Sequence, residues 1–103
     1  MKILINNRLS VLEPAIEEHI QRQIRLALTK EASNIASITF NISDAQNLYG
    51  HSDRVEKHCS LTLSLHHMSN IVIDETQPDL YVVIDRVIQK AVRTLSRKIL
   101  SKR

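Results

Sequence analysis

The stretch His58 to His66, HCSLTLSLH, alternates without a break. Cys59, Leu61, Leu63 and Leu65 point one way, and His58, Ser60, Thr62, Ser64 and His66 the other. Period two over that length is a β-strand with one apolar and one polar face. Ile35 to Ser43 repeats the pattern, with Ile38, Phe40 and Ile42 opposite Thr39, Asn41 and Ser43. Strands of this kind belong to a sheet that buries one face and leaves the other wet. The buried face needs a cover, and only helices elsewhere in the chain can supply it.

Two segments have the spacing for that. Pro14 fits a first helical position, with Glu13 or Ser10 near the cap, after a turn over Arg8–Pro14. From there to about Lys30, Ile16, Ile20, Ile24, Ala27 and Leu28 form a stripe opposite Glu18, Arg22, Arg25 and Thr29. Asn34 breaks this helix. The second helix lies within Pro78–Arg103, where Leu80, Ile84, Val87, Ile88, Ala91 and Leu95 recur at helical spacing. Pro78 and Asp79 suit its first turn. A first strand is expected over Lys2–Asn6 (KILIN) and a short one over Ile71–Asp74, after a tight connection His67-Met68-Ser69-Asn70. Asp44–Lys57, which holds the only glycine and has no period, reads as a long polar connection. The order β-α-β-β-β-α predicts an α+β two-layer sandwich, a four-stranded sheet with both helices on one face. A length of 103 residues fits one domain, 1–103.

The charge is not spread evenly. Residues 78–103 hold seven Lys and Arg against Asp79 and Asp85, a net of +5, while residues 1–77 hold seven against nine, a net of −2. The chain's +3 therefore comes from its last helix. Arg86, Lys90, Arg93 and Arg97 fall at i, i+4, i+7 and i+11, one narrow stripe nearly opposite the apolar one. Lys98, Lys102 and Arg103 continue the charge past the last turns. Solubilising charge usually mixes signs, and like charges at i,i+4 repel, so a single-sign stripe points to a polyanion.

Chemistry is harder to find. There is no Gly-rich phosphate loop, no Gly-x-Ser-x-Gly and no paired-carboxylate motif, which argues against an enzyme with a small-molecule substrate. His19, His51, His58, His66 and His67 lack ligand spacing, so neither a metal nor another cofactor is expected and the histidines read as surface groups. Cys59 lies on the apolar side of its strand and reads as a buried inert thiol; a lone cysteine fits a reducing compartment. Asp44, Asp53 and Glu56 read as loop charges. Tyr81 reads as packing beside the apolar stripe with its hydroxyl at the rim, and Tyr49 as either a packing or a contact residue of the long connection. The absence of Trp and the few aromatics argue against a base-stacking platform. No apolar run has transmembrane length and MKILINNRLS is too short for a secretory signal, so a cytoplasmic location is expected, with no membrane partner.

Asp79-Leu80-Tyr81-Val82-Val83-Ile84-Asp85, followed by Lys90, Arg93, Leu95 and Arg97, resembles the signature helix of the hibernation-promoting factor and ribosome-associated inhibitor A proteins, also called sigma-54 modulation proteins. That helix typically reads D-[ML]-Y-x-A-I-D-x-x-x-x-K-L-x-R-Q-L-x-K. The element order and length resemble the family's short form, without the C-terminal extension by which long forms pair ribosomes; the oligomeric state stays open. Asp53 to Cys59 is similar to a divergent branch with an Asp-Lys-Arg-Cys-like run before the third strand. The resemblance implies binding to the small ribosomal subunit in the channel for messenger and transfer RNA, blocking translation in stress or stationary phase. Family members use basic residues of both helices on ribosomal RNA. By position this carries over to Lys90, Arg93 and Arg97; the stripe adds Arg86, and the charge continuing past it adds Lys98. Arg22 and Arg25 are the candidates on the first helix, where Glu13, Glu17 and Glu18 thin the basic surface. The competing reading is a non-ribosomal regulatory module that presents loop 44–57 to a protein. Steep salt dependence separates RNA docking from that alternative.

Overall fold

A computed structural model describes residues 1–11, 13–45 and 56–101. The expected order is present: β1 Lys2–Arg8, α1 Pro14–Leu28, a 3-10 segment Thr29–Asn34, β2 Ile35–Ala45, β3 Glu56–Leu65, β4 Ile71–Gln77 and α2 Leu80–Ser101. The sheet runs β1-β2-β3-β4. β1 is parallel to β2, and the other two pairings are antiparallel. It is thus the expected two-layer α+β arrangement with a mixed sheet.

The strand phases are those of the alternation. Ile38, Phe40, Ile42, Cys59, Leu61, Leu63 and Leu65 are buried, while Thr39, Asn41, Ser60, Thr62 and Ser64 are half-exposed on the other face. Against this sheet lie Ile16, Ile20, Ile24 and Leu28 of α1 and Val83, Ile84, Val87, Ile88, Ala91 and Leu95 of α2, in one continuous core. Val83 joins the buried stripe and Leu80 is only partly buried, so the stripe sits slightly round from its sequence placement.

Several boundaries move, each for a local reason. Glu13 is the N-cap of α1, with extended backbone; its carbonyl accepts the Ile16 N–H at 3.0 Å, and its side chain caps nothing. Ser10 is not a cap: its backbone N–H goes to Asp44 Oδ2 at 2.7 Å. α1 tightens into the 3-10 segment after Leu28, and the chain turns at Asn34, whose carbonyl accepts the His66 N–H at 2.9 Å. Asp79 caps α2: its carboxylate accepts the Val82 N–H and its carbonyl the Val83 N–H, both at 3.1 Å. Pro78 therefore precedes the cap and is not in the first turn.

Asp44, Glu56 and Lys57 are not loop residues, since Glu56 opens β3 opposite Ala45. Asp44 and Lys57 face each other at the ends of β2 and β3 and form an ion pair. With the Ser10 N–H also on it, the Asp44 carboxyl is held well below its usual value, at about 2, the Lys57 hydrogen bond being the larger cause. One side chain thus ties the start of the β1–α1 connection to the outer end of the hairpin. Tyr49, Gly50, His51 and Asp53 lie outside the described residues, as do Lys102 and Arg103.

Candidate nucleic-acid interface

α2 places its cations by simple geometry. Burying Ile84, Val87, Ile88, Ala91 and Leu95 on the sheet turns the opposite side outward, and Arg86, Lys90, Arg93 and Arg97 are all exposed there. The four share a face but not an environment. β4 continues three residues beyond Asp74, and Glu75 falls on the same side as Ile71 and Ile73, towards the helices. Its side chain is only 11% exposed. Lys90 Nζ donates to Glu75 Oε2 at 2.6 Å, Gln77 Nε2 donates to Oε1 at 3.4 Å, and Arg86 Nη1 stands 3.7 Å from Oε1. The Lys90 hydrogen bond, with Gln77 and the cations behind it, holds the Glu75 carboxyl below the usual glutamate range.

Arg93 and Arg97 have no ion pair or side-chain hydrogen bond among the described residues. Arg93 borders two hollows. One, of about 250 Å³, is cationic and lined by Arg86, Gln89, Lys90 and Arg93. The other, of about 310 Å³, lies between the helices over Ala27, Ile88 and Val92. Lys98 does not extend the stripe. One residue past Arg97 it is about 100° round the helix, half-buried, with its ammonium donating to the Ser69 carbonyl at 3.0 Å and to the Ser69 hydroxyl. A hollow of about 420 Å³ at this end is lined by His67, Met68, Ser69, Lys98 and Ser101. On α1, Arg22 pairs with Glu18 at 3.4 Å, whereas Arg25 is exposed without a side-chain partner among the described residues.

Two features are not visible in the sequence pattern. Glu75 lies beyond Asp74, where the apolar alternation of the strand ends. His19 is only partly exposed: it lies between the helices, its ring edge-on to Tyr81 with centroids 5.0 Å apart. Its Nε2 lies 3.9 Å from Asp85 Oδ1, too far for a hydrogen bond, and has no other partner among the described residues. Tyr81 does pack at the rim, 45% exposed. His58 pairs with Asp74 at 3.2 Å on the open sheet face. Cys59 is buried, which pushes its thiol up to about 12 and leaves it unreactive. Among the described residues no three His, Cys, Asp or Glu side chains converge as metal donors, and no helix is long and apolar enough to cross a membrane.

The family model described as sigma 54 modulation protein / S30EA ribosomal protein matches residues 3–100. No curated protein matches the sequence. Among solved structures, a ribosomal subunit interface protein from Coxiella burnetii superposes with a TM-score of 0.75 at 18% identity, covering 97% of this chain and 99% of that one. The Protein Y N-terminal domain from Thermus thermophilus gives 0.63 at 15% identity, covering 94% and 98%. At these identities the superpositions establish the shared fold.

Proposed function

This chain belongs to the sigma 54 modulation protein / S30EA ribosomal protein family, and on that premise we propose that it is a cytoplasmic, ribosome-associated inhibitor of translation that docks α2 on small-subunit ribosomal RNA. The supporting observation is the outward stripe of α2, and above all Arg93 and Arg97, two exposed guanidinium groups with no intramolecular counterion among the described residues. Guanidinium groups meet phosphate through paired N–H donors, and each such pairing releases counterions from the RNA. Arg86 and Lys90 flank them on the same face, and Arg25 on α1 adds a cation without a side-chain partner among the described residues. The mechanism is occupancy. A rigid two-layer domain held on backbone phosphates excludes messenger and transfer RNA from the space it fills, and it reads position rather than base sequence. Stress and stationary phase are the conditions in which such a blockade is useful to a cell. The fold carries out no covalent step in this reading.

Sedimentation with purified small subunits over a range of salt tests it. The wild-type protein co-sediments, and its affinity falls steeply as salt rises. Lys90→Gln with Arg93→Glu and Arg97→Glu keeps the helix, because both new residue types are good helix formers, the buried face is untouched and the glutamine amide can still donate to the Glu75 carboxylate. That triple variant stays in the supernatant. Wild-type affinity and salt slope in the triple variant would sink the RNA reading; a requirement for Arg22 and Arg25 instead would move the interface to α1.

A further inference from the structure

Glu75 stands where the alternation of β4 calls for an apolar residue. Ile71 is buried and Ile73 partly buried on the side towards the helices, and Glu75 is next on that side. The position is nearly closed to solvent, yet the group is a carboxylate surrounded by donors: the Lys90 ammonium at 2.6 Å, the Gln77 amide at 3.4 Å and the Arg86 guanidinium at 3.7 Å. An oxyanion held by an ammonium and a guanidinium is also how a backbone phosphate is held. The free protein therefore already carries an anion on half of its cationic face.

We propose that Glu75 competes with backbone phosphate for Lys90 and Arg86, and so makes the α2 face selective for its own RNA site over polyanions at large. The inference rests on the RNA-docking reading and adds a selectivity element to it. A polyanion of arbitrary shape meets Arg93 and Arg97, then finds a negative charge beside the next two cations. Only a backbone that places a phosphate on the remaining N–H donors of Lys90, or that displaces the carboxylate outright, engages all four. A fixed like charge that disfavours wrong partners is a common way to gain specificity at some cost in affinity. If Glu75 served only to hold Lys90 in place for RNA, its loss would weaken every complex, so the two roles predict opposite signs.

Glu75→Gln keeps the shape and an acceptor for Lys90 and removes the charge. The probes are a random-sequence single-stranded RNA of about 20 nucleotides, heparin, and purified small subunits, titrated at several salt concentrations by fluorescence anisotropy. The substitution should tighten binding to the oligonucleotide and to heparin by about three- to fivefold at low salt, the scale of one exposed ion pair that Lys90 or Arg86 becomes free to make with phosphate. The oligonucleotide slope should steepen by roughly 0.7, the increment for one more phosphate neutralised on a single strand. Affinity for small subunits should rise less, so the ratio of specific to non-specific binding falls. In an Arg86→Gln/Lys90→Gln background the tightening should vanish; tightening that persists there is a general charge effect and overturns the proposal. An unchanged or weakened oligonucleotide complex overturns it as well. Melting of each variant is checked first, and Glu75→Ala serves if the glutamine protein does not fold. The two readings fail separately. Intact small-subunit binding with no tightening on the oligonucleotide removes the competition alone. Tightening in a protein that does not bind small subunits removes the docking reading alone.

Discussion

The two halves of one helix face differ more than their spacing suggests. Arg86 and Lys90 lie over the far end of β4 and share the carboxylate of Glu75, whereas Arg93 and Arg97, two turns on, meet no acid among the described residues. Charge, helical phase and exposure are alike in both halves; what separates them is the strand beneath. A cation row counted from sequence overstates what is available to a ligand, because a counterion can arrive from the strand packed beneath the helix, here 15 residues before Lys90. On the proposed reading a polyanion meets the open half first, and the held half contributes only as far as the ligand outcompetes its internal anion.

The largest expected effect separates the halves directly. Arg93→Gln with Arg97→Gln should weaken small-subunit binding by about tenfold or more per arginine, the scale of a hydrogen bond to a charged group. The salt slope should fall by roughly 1.4 to 1.8, the amount for two phosphates left without their cations. Arg86→Gln with Lys90→Gln removes the same number of charges and should cost only about threefold, since exposed ion pairs are worth little and these cations already have a partner. Equal losses in the two pairs, measured in the same titration, would erase the distinction.

A smaller effect sharpens the comparison through pH. Glu75 and Asp44 both titrate below their ordinary values because lysines hydrogen-bond their ionised forms. A depressed folded-state pKa gives stability that is complete above the unfolded value and is lost as pH falls through the folded one. For Asp44 that window runs from the ordinary 3.8 down to about 2. The urea midpoint of Asp44→Asn should therefore trail wild type by a constant amount from pH 7 to about 4, and the gap should close towards pH 2. The same sign applies to Glu75, so the held half stays held from pH 8 to 5. The binding difference between wild type and Glu75→Gln should be flat over that range. A difference that shrinks between pH 7 and 5 would mean that Glu75 is not ionised throughout and that the lock is weaker than its geometry.

Much of this is legible in the chain. Cys59, Leu61, Leu63 and Leu65 alternate because a sheet with one covered face demands it, and all four are buried. The apolar stripe of α2 follows from 3.6 residues per turn, with Val83 as the one neighbour left out. What stays hidden depends on contacts between different elements. Glu75 breaks the apolar alternation of β4, so the strand looks finished at Asp74; it continues because cations from α2 cover the acid. Asp44 and Lys57 look like loop charges until β2 and β3 are registered against each other. Lys98 looks like one more basic residue until the β3–β4 connection, where His67 turns with φ at 63°, brings Ser69 beneath it. Local period gives faces and phases, and counterions belong to tertiary contact.

Lys98 supplies the smallest effect. Its ammonium bridges the Ser69 carbonyl and hydroxyl, and it is half-buried on the flank of α2 rather than on the cationic stripe. Releasing it to reach a phosphate would leave the Ser69 carbonyl without that donor and expose the stem the lysine lays against the connection. Lys98→Ala should therefore change small-subunit affinity by less than about twofold and leave the salt slope unaltered, since every phosphate keeps its cation. Its consequence should appear locally, as faster amide exchange at Ser69 and Asn70, because the tether between α2 and the β3–β4 connection is gone. The result to compare is Arg97→Ala, one residue away, which should lower the slope by roughly 0.7 to 0.9 and leave exchange in that connection unchanged. If Lys98→Ala lowers the slope as much as Arg97→Ala does, the lysine leaves Ser69 on binding. Held and open cations would then be two states of one face, switched by the ligand.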